Sequence, residues 1–258
     1  MKHVWIVLFF GTLLGATDGF AQSKSLQQEV STTARIDLSS AHVFRGETRN
    51  RGAVIQPALG IESPSGISAS VWANLDIHDN RGQAEPGQFS EIDMSIAYNI
   101  PLAWPLLQIK IGAFEYLRPG KVIAVDEDRL ADRELNLSIM APVMGHPSLK
   151  VFYGIEGDVK KQTFYEFGLS DKILQVRQFV LSFAGYGSYI DRGDAARLDP
   201  IDGDSLEEDG VSHGKLVLDA SYQSYRFGFH YVLEANPDVL DRSGETPYYV
   251  VLGHQASF

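Results

Sequence analysis

From residue 32 to the C-terminus, apolar and polar side chains alternate in stretches of about ten residues, and the connections between stretches alternate long with short. In the clearest stretch Ile67, Ala69, Val71, Ala73, Leu75 and Ile77 share one face. Ser68, Ser70, Trp72, Asn74, Asp76 and His78 share the other. Successive side chains of a strand point to opposite sides, so this pattern makes one oily and one wet face. The next stretch repeats it, with Ile92, Met94, Ile96, Tyr98 and Ile100 set against Glu91, Asp93, Ser95, Ala97 and Asn99. Period-two runs of this length predict strands, not helices.

The pattern predicts strands at 32–45, 53–62, 67–78, 90–100, 106–116, 133–141, 149–157, 162–170, 175–189, 214–222, 224–235 and 246–258. The connections 46–52, 79–89, 117–132, 190–213 and 235–245 are long and polar, with 158–161 a short exception in the same parity. Those between them, at 63–66, 101–105, 142–148, 171–174 and 223, are short, and several carry Pro or Gly turn chemistry. An even strand number with short turns at one end and long loops at the other is the arrangement of outer-membrane barrels. The expected fold is all-β: one antiparallel transmembrane β-barrel of about twelve strands, with both termini in the periplasm.

Residues 1–21 stand apart. Lys2 precedes the apolar run Val4 to Phe10, and Gly19-Phe20-Ala21 supplies small residues for cleavage after Ala21, which predicts a secretory signal peptide ahead of a barrel over 22–258. The run is well short of the roughly 20 residues a spanning helix needs, and no later segment is long and uncharged enough. Export would deliver a Gram-negative chain to the cell outer membrane, with lipid, lipopolysaccharide and the barrel-assembly machinery as its partners. Loss of the leader removes Lys2 and Asp18 and leaves the net charge of −11 unchanged. An acidic chain is a poor nucleic-acid ligand, and the absence of cysteine excludes disulfides, thiolate metal sites and cysteine nucleophiles. No motif calls for a cofactor.

The last stretch carries a signal of its own. Tyr248, Val250, Leu252, His254, Ala256 and Phe258 alternate up to a terminal aromatic, and Gly253, Ala256 and Phe258 have the spacing of a C-terminal barrel-assembly signal. Aromatics fall near both strand ends, with Tyr98, Trp104, Tyr222 and Tyr225 by the short turns and Phe44, Tyr116 and Tyr189 by the long loops. Two aromatic belts are what membrane interfaces select. Periodicity by itself is also compatible with a soluble periplasmic barrel that turns its oily face inward around a ligand.

Within the first hundred residues Val43-Phe44-Arg45-Gly46, Gln56-Pro57-Ala58, Ser65-Gly66, Val71-Trp72-Ala73-Asn74 and Glu91-Ile92-Asp93 occur in order. Together they resemble the signature of the TorF-type porin family of proteobacterial outer-membrane proteins, over residues 35–100. Glu47 departs from that pattern, where a small or apolar residue is expected. The resemblance implies an outer-membrane barrel and a pore; it implies neither a substrate nor catalytic residues.

The polar face predicts what the lumen offers. Arg35, Asp37, Arg45, Asp76, Glu91, Asp93, Lys110, Glu134, Lys150, Glu156, Glu166, Lys215, Asp219, Arg226 and Glu234 fall on it, with acids in excess. A net acidic wall predicts passive diffusion of small, preferably cationic solutes. The competing expectation is a closed structural barrel, in which acids and bases pair into a plug because buried charge must be paired. The densest polar cluster is Trp72, Asn74 and Asp76 with Glu91 and Asp93, and Arg45 on the preceding strand is expected to pair with one of these acids. These six residues are the candidate constriction.

Two other chemistries are weaker. The acidic stretch from Asp191 to Gly210 offers Asp202, Asp204 and Glu208 as oxygen ligands for calcium, without the spacing of an EF-hand, and a solvated loop is the simpler expectation. An outer-membrane lipid hydrolase needs a serine, a base in reach and a third group to orient the base. Only His42 with Ser40 and His254 with Ser257 come near, and neither has an evident third partner on its face. The expectation is therefore a barrel that is not an enzyme.

Overall fold

The computed structural model describes residues 29–78, 85–102, 106–119, 131–193, 209–233, 239–240 and 245–258. The expected leader, the calcium candidates Asp202, Asp204 and Glu208, and Trp104 and Glu234 lie outside them. The strands are β1 (Ser31–Ser39), β2 (His42–Phe44), β3 (Glu47–Asn50), β4 (Val54–Glu62), β5 (Ile67–Asp76), β6 (Phe89–Ile100) and β7 (Gln108–Leu117). They continue as β8 (Ala131–Met140), β9 (Ser148–Glu156), β10 (Thr163–Val176), β11 (Phe179–Asp191), β12 (Gly210–Tyr222), β13 (Tyr225–Leu233) and β14 (Tyr248–Ser257).

β1 and β4 to β14 form one closed antiparallel barrel of twelve strands, while β2 and β3 pair only with each other. The ring closes where β1 lies between β4 and β14, with Asp37 opposite both Gln56 and Gly253. Closure leaves no sheet edge to template association, which is how a barrel avoids the hazard of an open sheet. The last strand is held to its end: the Phe258 amide donates to the Thr32 carbonyl over 2.9 Å, while the Phe258 side chain is 80% exposed. Of the C-terminal signal residues, Gly253 faces inward beside Asp37, and Ala256 and Phe258 lie on the outward register.

The alternation sorts side chains as the sequence implies. Ile36, Leu38, Ile61, Ile96, Ile111, Leu135, Leu169 and Phe183 are exposed on the exterior, while Asp37, Ser68, Asn74, Asp76, Glu91, Asp132, Glu134 and His230 are buried inside. This inverts the usual apolar-in arrangement of soluble proteins. The exposed apolar exterior excludes the inward-facing oily lining that a soluble ligand-binding barrel requires.

Three expectations are corrected. The first predicted strand ended at 45, but β1 stops at Ser39, where the Ser39 hydroxyl donates to the Ala41 carbonyl over 2.6 Å, and the chain turns into the lumen. The segment 46–52, expected to be an outer loop, is therefore the far half of an in-folded hairpin. The turn expected at 171–174 lies instead at Arg177 and Gln178, and β10 runs straight through the predicted break. The alternation fails there because the register with β11 shifts between Lys172 and Leu174, a bulge that puts one extra residue on β10. Finally, Glu156 leaves the lumen. The β8–β9 register shifts between Arg133 and Glu134, and Glu156 turns outward to meet Arg133 over 2.5 Å.

The aromatic belts are likewise half as expected. Tyr98, Tyr189, Tyr222 and Tyr225 lie exposed on the exterior. Phe44 and Tyr116 do not join them: their rings meet edge to face inside the barrel, 5.6 Å apart.

Candidate functional site

The lumen is crossed by the hairpin β2–β3. Its turn, Arg45-Gly46, has φ of +49° and +87°, the left-handed geometry that a two-residue hairpin uses because it matches strand twist. Glycine takes this conformation freely; an arginine there holds about 1 kcal/mol or more of strain. A side chain at position 46 would also collide with His213 of β12, whose Cγ lies 2.6 Å from the Cβ position. The tip thus reaches from β1 to β12, three strands round the ring.

Every side of the lumen grips this hairpin. At its base Ala41 is buried with Val232, Tyr249 and Val251 of β13 and β14, and Val43 packs against that cluster. His42 Nε2 lies 3.2 Å from Glu91 Oε2 on β6, and its ring sits 5.5 Å from Trp72 on β5. Burial holds the His42 imidazole down at about 3, with the Arg49 guanidinium acting in the same direction. The ring is therefore neutral where it lies against Glu91.

At the tip, Arg45 donates from one terminal nitrogen to Glu134 Oε1 over 2.7 Å and from the other to Glu134 Oε2 over 2.6 Å. Tyr116 donates its hydroxyl to Glu134 Oε2 over 2.9 Å. The guanidinium carbon lies 4.4 Å from the Phe164 ring centre, 4.7 Å from Phe152, 5.0 Å from Phe44 and 5.8 Å from Tyr116. Burial by itself would lower the Arg45 guanidinium; Tyr116 and Glu134 outweigh it and hold the group above its ordinary value. Arg45 is thus a permanently charged side chain at the middle of the lumen.

The expected constriction is brought together in part. Across β5 and β6, Trp72 stands opposite Asp93 and Asn74 opposite Glu91. The Asn74 amide donates to Asp76 Oδ1 over 2.8 Å and to the Ser90 hydroxyl over 2.9 Å, and it accepts from Gln56 over 2.9 Å. Arg45 does not complete this cluster. It was expected on a wall strand beside Asp76, Glu91 or Asp93; carried on the hairpin turn, it reaches past them to Glu134 on β8. Asp76 Oδ2 and Asp93 Oδ1 remain buried without a hydrogen-bond partner among the described residues.

Eight further lumen charges meet in four pairs. Arg35 contacts Asp37 at 3.0 Å, Arg118 contacts Asp132 at 2.6 Å, Lys150 contacts Glu166 at 2.8 Å and Arg226 contacts Asp219 at 3.0 Å. Sequence periodicity placed most of these on the inward face but not their pairing. It gave no weight to Tyr116, Phe152 or Phe164 as lumen residues, although they share the register of Lys110, Lys150 and Glu166 on their strands, so the inward parity was an available signal. The two-residue Arg45-Gly46 turn was another. A second inward contact lies at the long-loop end of the barrel, where Val239 and Leu240 of the connection before β14 are buried against Phe164 and Ile190, and Arg192 donates to the Val239 carbonyl.

The serine and histidine pairs go separate ways. Ser40 Oγ accepts the Val250 amide over 3.0 Å while His42 faces Glu91. His254 lies on the outer register, its ring 5.1 Å from Tyr225, and Ser257 stands on the opposite register facing Thr33. A buried Ser212 hydroxyl does meet His213 Nδ1 at 3.1 Å.

No family model matches the chain, and no curated protein matches it. Solved structures do. LpxR from Salmonella typhimurium is 9% identical over 86% of this chain and 99% of its own, with a TM-score of 0.46. The outer membrane channel DcaP of Acinetobacter baumannii is 10% identical over 89% of this chain and 96% of its own, with a TM-score of 0.40. Salmonella typhi OmpF, in complex with daunomycin, is 7% identical over 89% of this chain and 97% of its own, with a TM-score of 0.36. At these values the likeness concerns barrel architecture, and the function has to be read from this chain's own lumen.

Proposed function

We propose that the protein is an outer-membrane porin of narrow bore, a passive route for small solutes whose lumen is closed in this conformation by the hairpin β2–β3. The observation that carries the reading is how the closure is made. A permanently filled barrel is most economically packed with apolar side chains, since a buried ion pair is often no more stable than the hydrophobic residues that can replace it. Here the lumen is lined with ion pairs and closed by a short hairpin tied through one guanidinium. The exposed apolar exterior supports placement in lipid, with lipopolysaccharide and the assembly machinery as the partners such a placement brings.

The TorF-type resemblance belongs to the same reading, and its motifs gain a physical role. Val43-Phe44-Arg45-Gly46 is the hairpin strand and turn, Gln56 and Asn74 of two further motifs bond each other, and Glu91 of another receives His42. One motif thus forms the hairpin, and Trp72 and Glu91 of two others meet it through His42.

Purified protein in planar bilayers tests the proposal. Ionic current, rare or brief in the native protein and sustained once the hairpin is released by Glu134→Gln, is the expected result. A membrane that stays sealed for both proteins favours a closed structural barrel and sinks the porin. Release of the native protein from cells into detergent-free buffer would sink the membrane placement as well.

A further inference from the structure

The site that receives Arg45 belongs almost wholly to the wall. Tyr116, Glu134, Phe152 and Phe164 come from four consecutive strands, β7 to β10, and only Phe44 and the arginine itself are supplied by the hairpin. Together they form an aromatic box with a carboxylate at one side. The geometry suits one kind of guest. Rings at 4.4 Å and 4.7 Å from the cationic carbon offer their faces to a flat, delocalised cation. The two Glu134 oxygens, at 2.7 Å and 2.6 Å from different nitrogens, match the fork of a guanidinium. An ammonium is a compact, strongly hydrated point charge that uses neither the stack nor the second bond.

Arg45 is an odd residue for a purely structural peg. It sits at the first position of a turn that favours Asn or Asp followed by Gly, in a left-handed conformation that costs an arginine strain. The wall site compensates for that strain only while the guanidinium is inside it. The hairpin therefore holds its tip in place chiefly through a head group that a free solute can also carry.

We propose that the box of Tyr116, Glu134, Phe152 and Phe164 is a recognition site for guanidinium-bearing solutes, and that Arg45 is a tethered occupant which such solutes displace. This rests on the reading of the barrel as a pore and names the substrate class of that pore. A solute carrying the group competes with the hairpin for the box, and the displaced hairpin opens the path that the solute takes. The wall site selects, and the hairpin keeps the lumen shut to ions that cannot compete.

The test uses the full barrel with Arg45→Asn, since asparagine tolerates the left-handed turn and leaves Gly46 in place. Ethylguanidinium and ethylammonium chloride at equal ionic strength are the probes. In detergent, ethylguanidinium is expected to raise the thermal midpoint of Arg45→Asn at an about ten-fold lower concentration than ethylammonium, the margin that a desolvated stack and a second bond imply. Adding Glu134→Gln is expected to abolish the difference. Equal responses to the two cations, or a difference that survives Glu134→Gln, overturn the proposal. In the native protein, ethylguanidinium is expected to speed trypsin cleavage after Arg45 while ethylammonium does not, a readout that stands even if Arg45→Asn folds poorly. Selective binding without ionic current upholds the box and removes the pore; current without guanidinium selectivity does the reverse.

Discussion

Arg45 and Glu134 are separated by 89 residues of sequence and joined by two short parallel hydrogen bonds. The carboxylate is fixed in the wall and the guanidinium is carried on a turn, so the pair joins a rigid element to one that can leave. Removing one partner of a buried pair costs about 3–5 kcal/mol, because the other charge is left without compensation. The hairpin has a cheaper exit than unfolding of the barrel, since it can carry Arg45 into water. Glu134→Gln is therefore expected to release the hairpin while β1 and β4 to β14 stay closed. Limited trypsin digestion followed by mass spectrometry checks it: cleavage after Arg45 and Arg49 rises, and the barrel still migrates as a folded, heat-modifiable species.

Gly46 offers a second, independent handle on the plug. Gly46→Ala introduces a Cβ where φ is +87° and places it 2.6 Å from His213 Cγ. The conformational part costs roughly 1–2 kcal/mol, and the clash adds to it. Shortening the obstacle with His213→Ala removes Cγ and Nδ1 but leaves Cβ 2.9 Å away, so it is expected to recover part of the clash component and none of the conformational one. A double-mutant cycle on the trypsin rate reads the coupling; strict additivity would mean that tip and wall do not touch.

The pH dependence has a definite sign. His42 is neutral in the folded plug and held at about 3, against an ordinary value of 6.5. The unplugged chain therefore binds more protons than the plugged one between these limits. The contribution of His42 to closure is complete above about 6.5 and declines as the pH falls toward about 3. Channel opening, or hairpin cleavage by an acid-tolerant protease, is expected to rise on acidification through that window. His42→Gln, which keeps a hydrogen-bond donor and does not titrate, is expected to flatten the rise.

Among the described residues, Asp76 and Asp93, like Asp37 and Asp132, each keep one buried carboxylate oxygen without a hydrogen-bond partner, and unlike those two they have no arginine within ion-pair distance, so they are the acids to test on a passing ion. With the hairpin released by Glu134→Gln, neutralising both as Asn is expected to lower the preference for cations over anions, seen as a shift of reversal potential in a salt gradient. An unchanged potential would show that the paired charges elsewhere set selectivity.

The exterior is tested by one charge. Ile111 lies mid-strand on the outer face of β7 and is 45% exposed. Ile111→Arg is expected to cost about 2–4 kcal/mol in lipid if the position lies near the bilayer midplane. Refolding into vesicles of the variant and native protein, titrated with urea, measures the loss.

The wall was legible because each strand's faces are set by its own alternation. Trp72, Asn74, Glu91 and Asp93 stand inward as their spacing implies, and Trp72 faces Asp93 across two strands as adjacency requires. Breaks in the alternation were not legible. The bulge at Lys172/Leu174 looked like a turn, and the shift at Arg133/Glu134 moved Glu156 to the outside. Nor was the hairpin, for a different reason. Phe44 on the oily register and Arg45 on the polar one continue the alternation of β1, which masks the inward bend at Ser40 and Ala41. That bend is favoured by distant groups, Glu91 for His42 and Glu134 for Arg45, which only the closed ring brings into range.

The hairpin's position in the chain also bears on the order of assembly. It lies between β1 and β4, near the beginning, whereas the box that receives it is made by β7 to β10, a contiguous meander that forms from its own neighbours. Contacts between distant segments must wait for the loop between them to close. While the sheet is still open, Arg45 has no carboxylate to meet and the tip stays solvated. Docking of the hairpin therefore has to follow formation of its box, so the wall is built before it is shut.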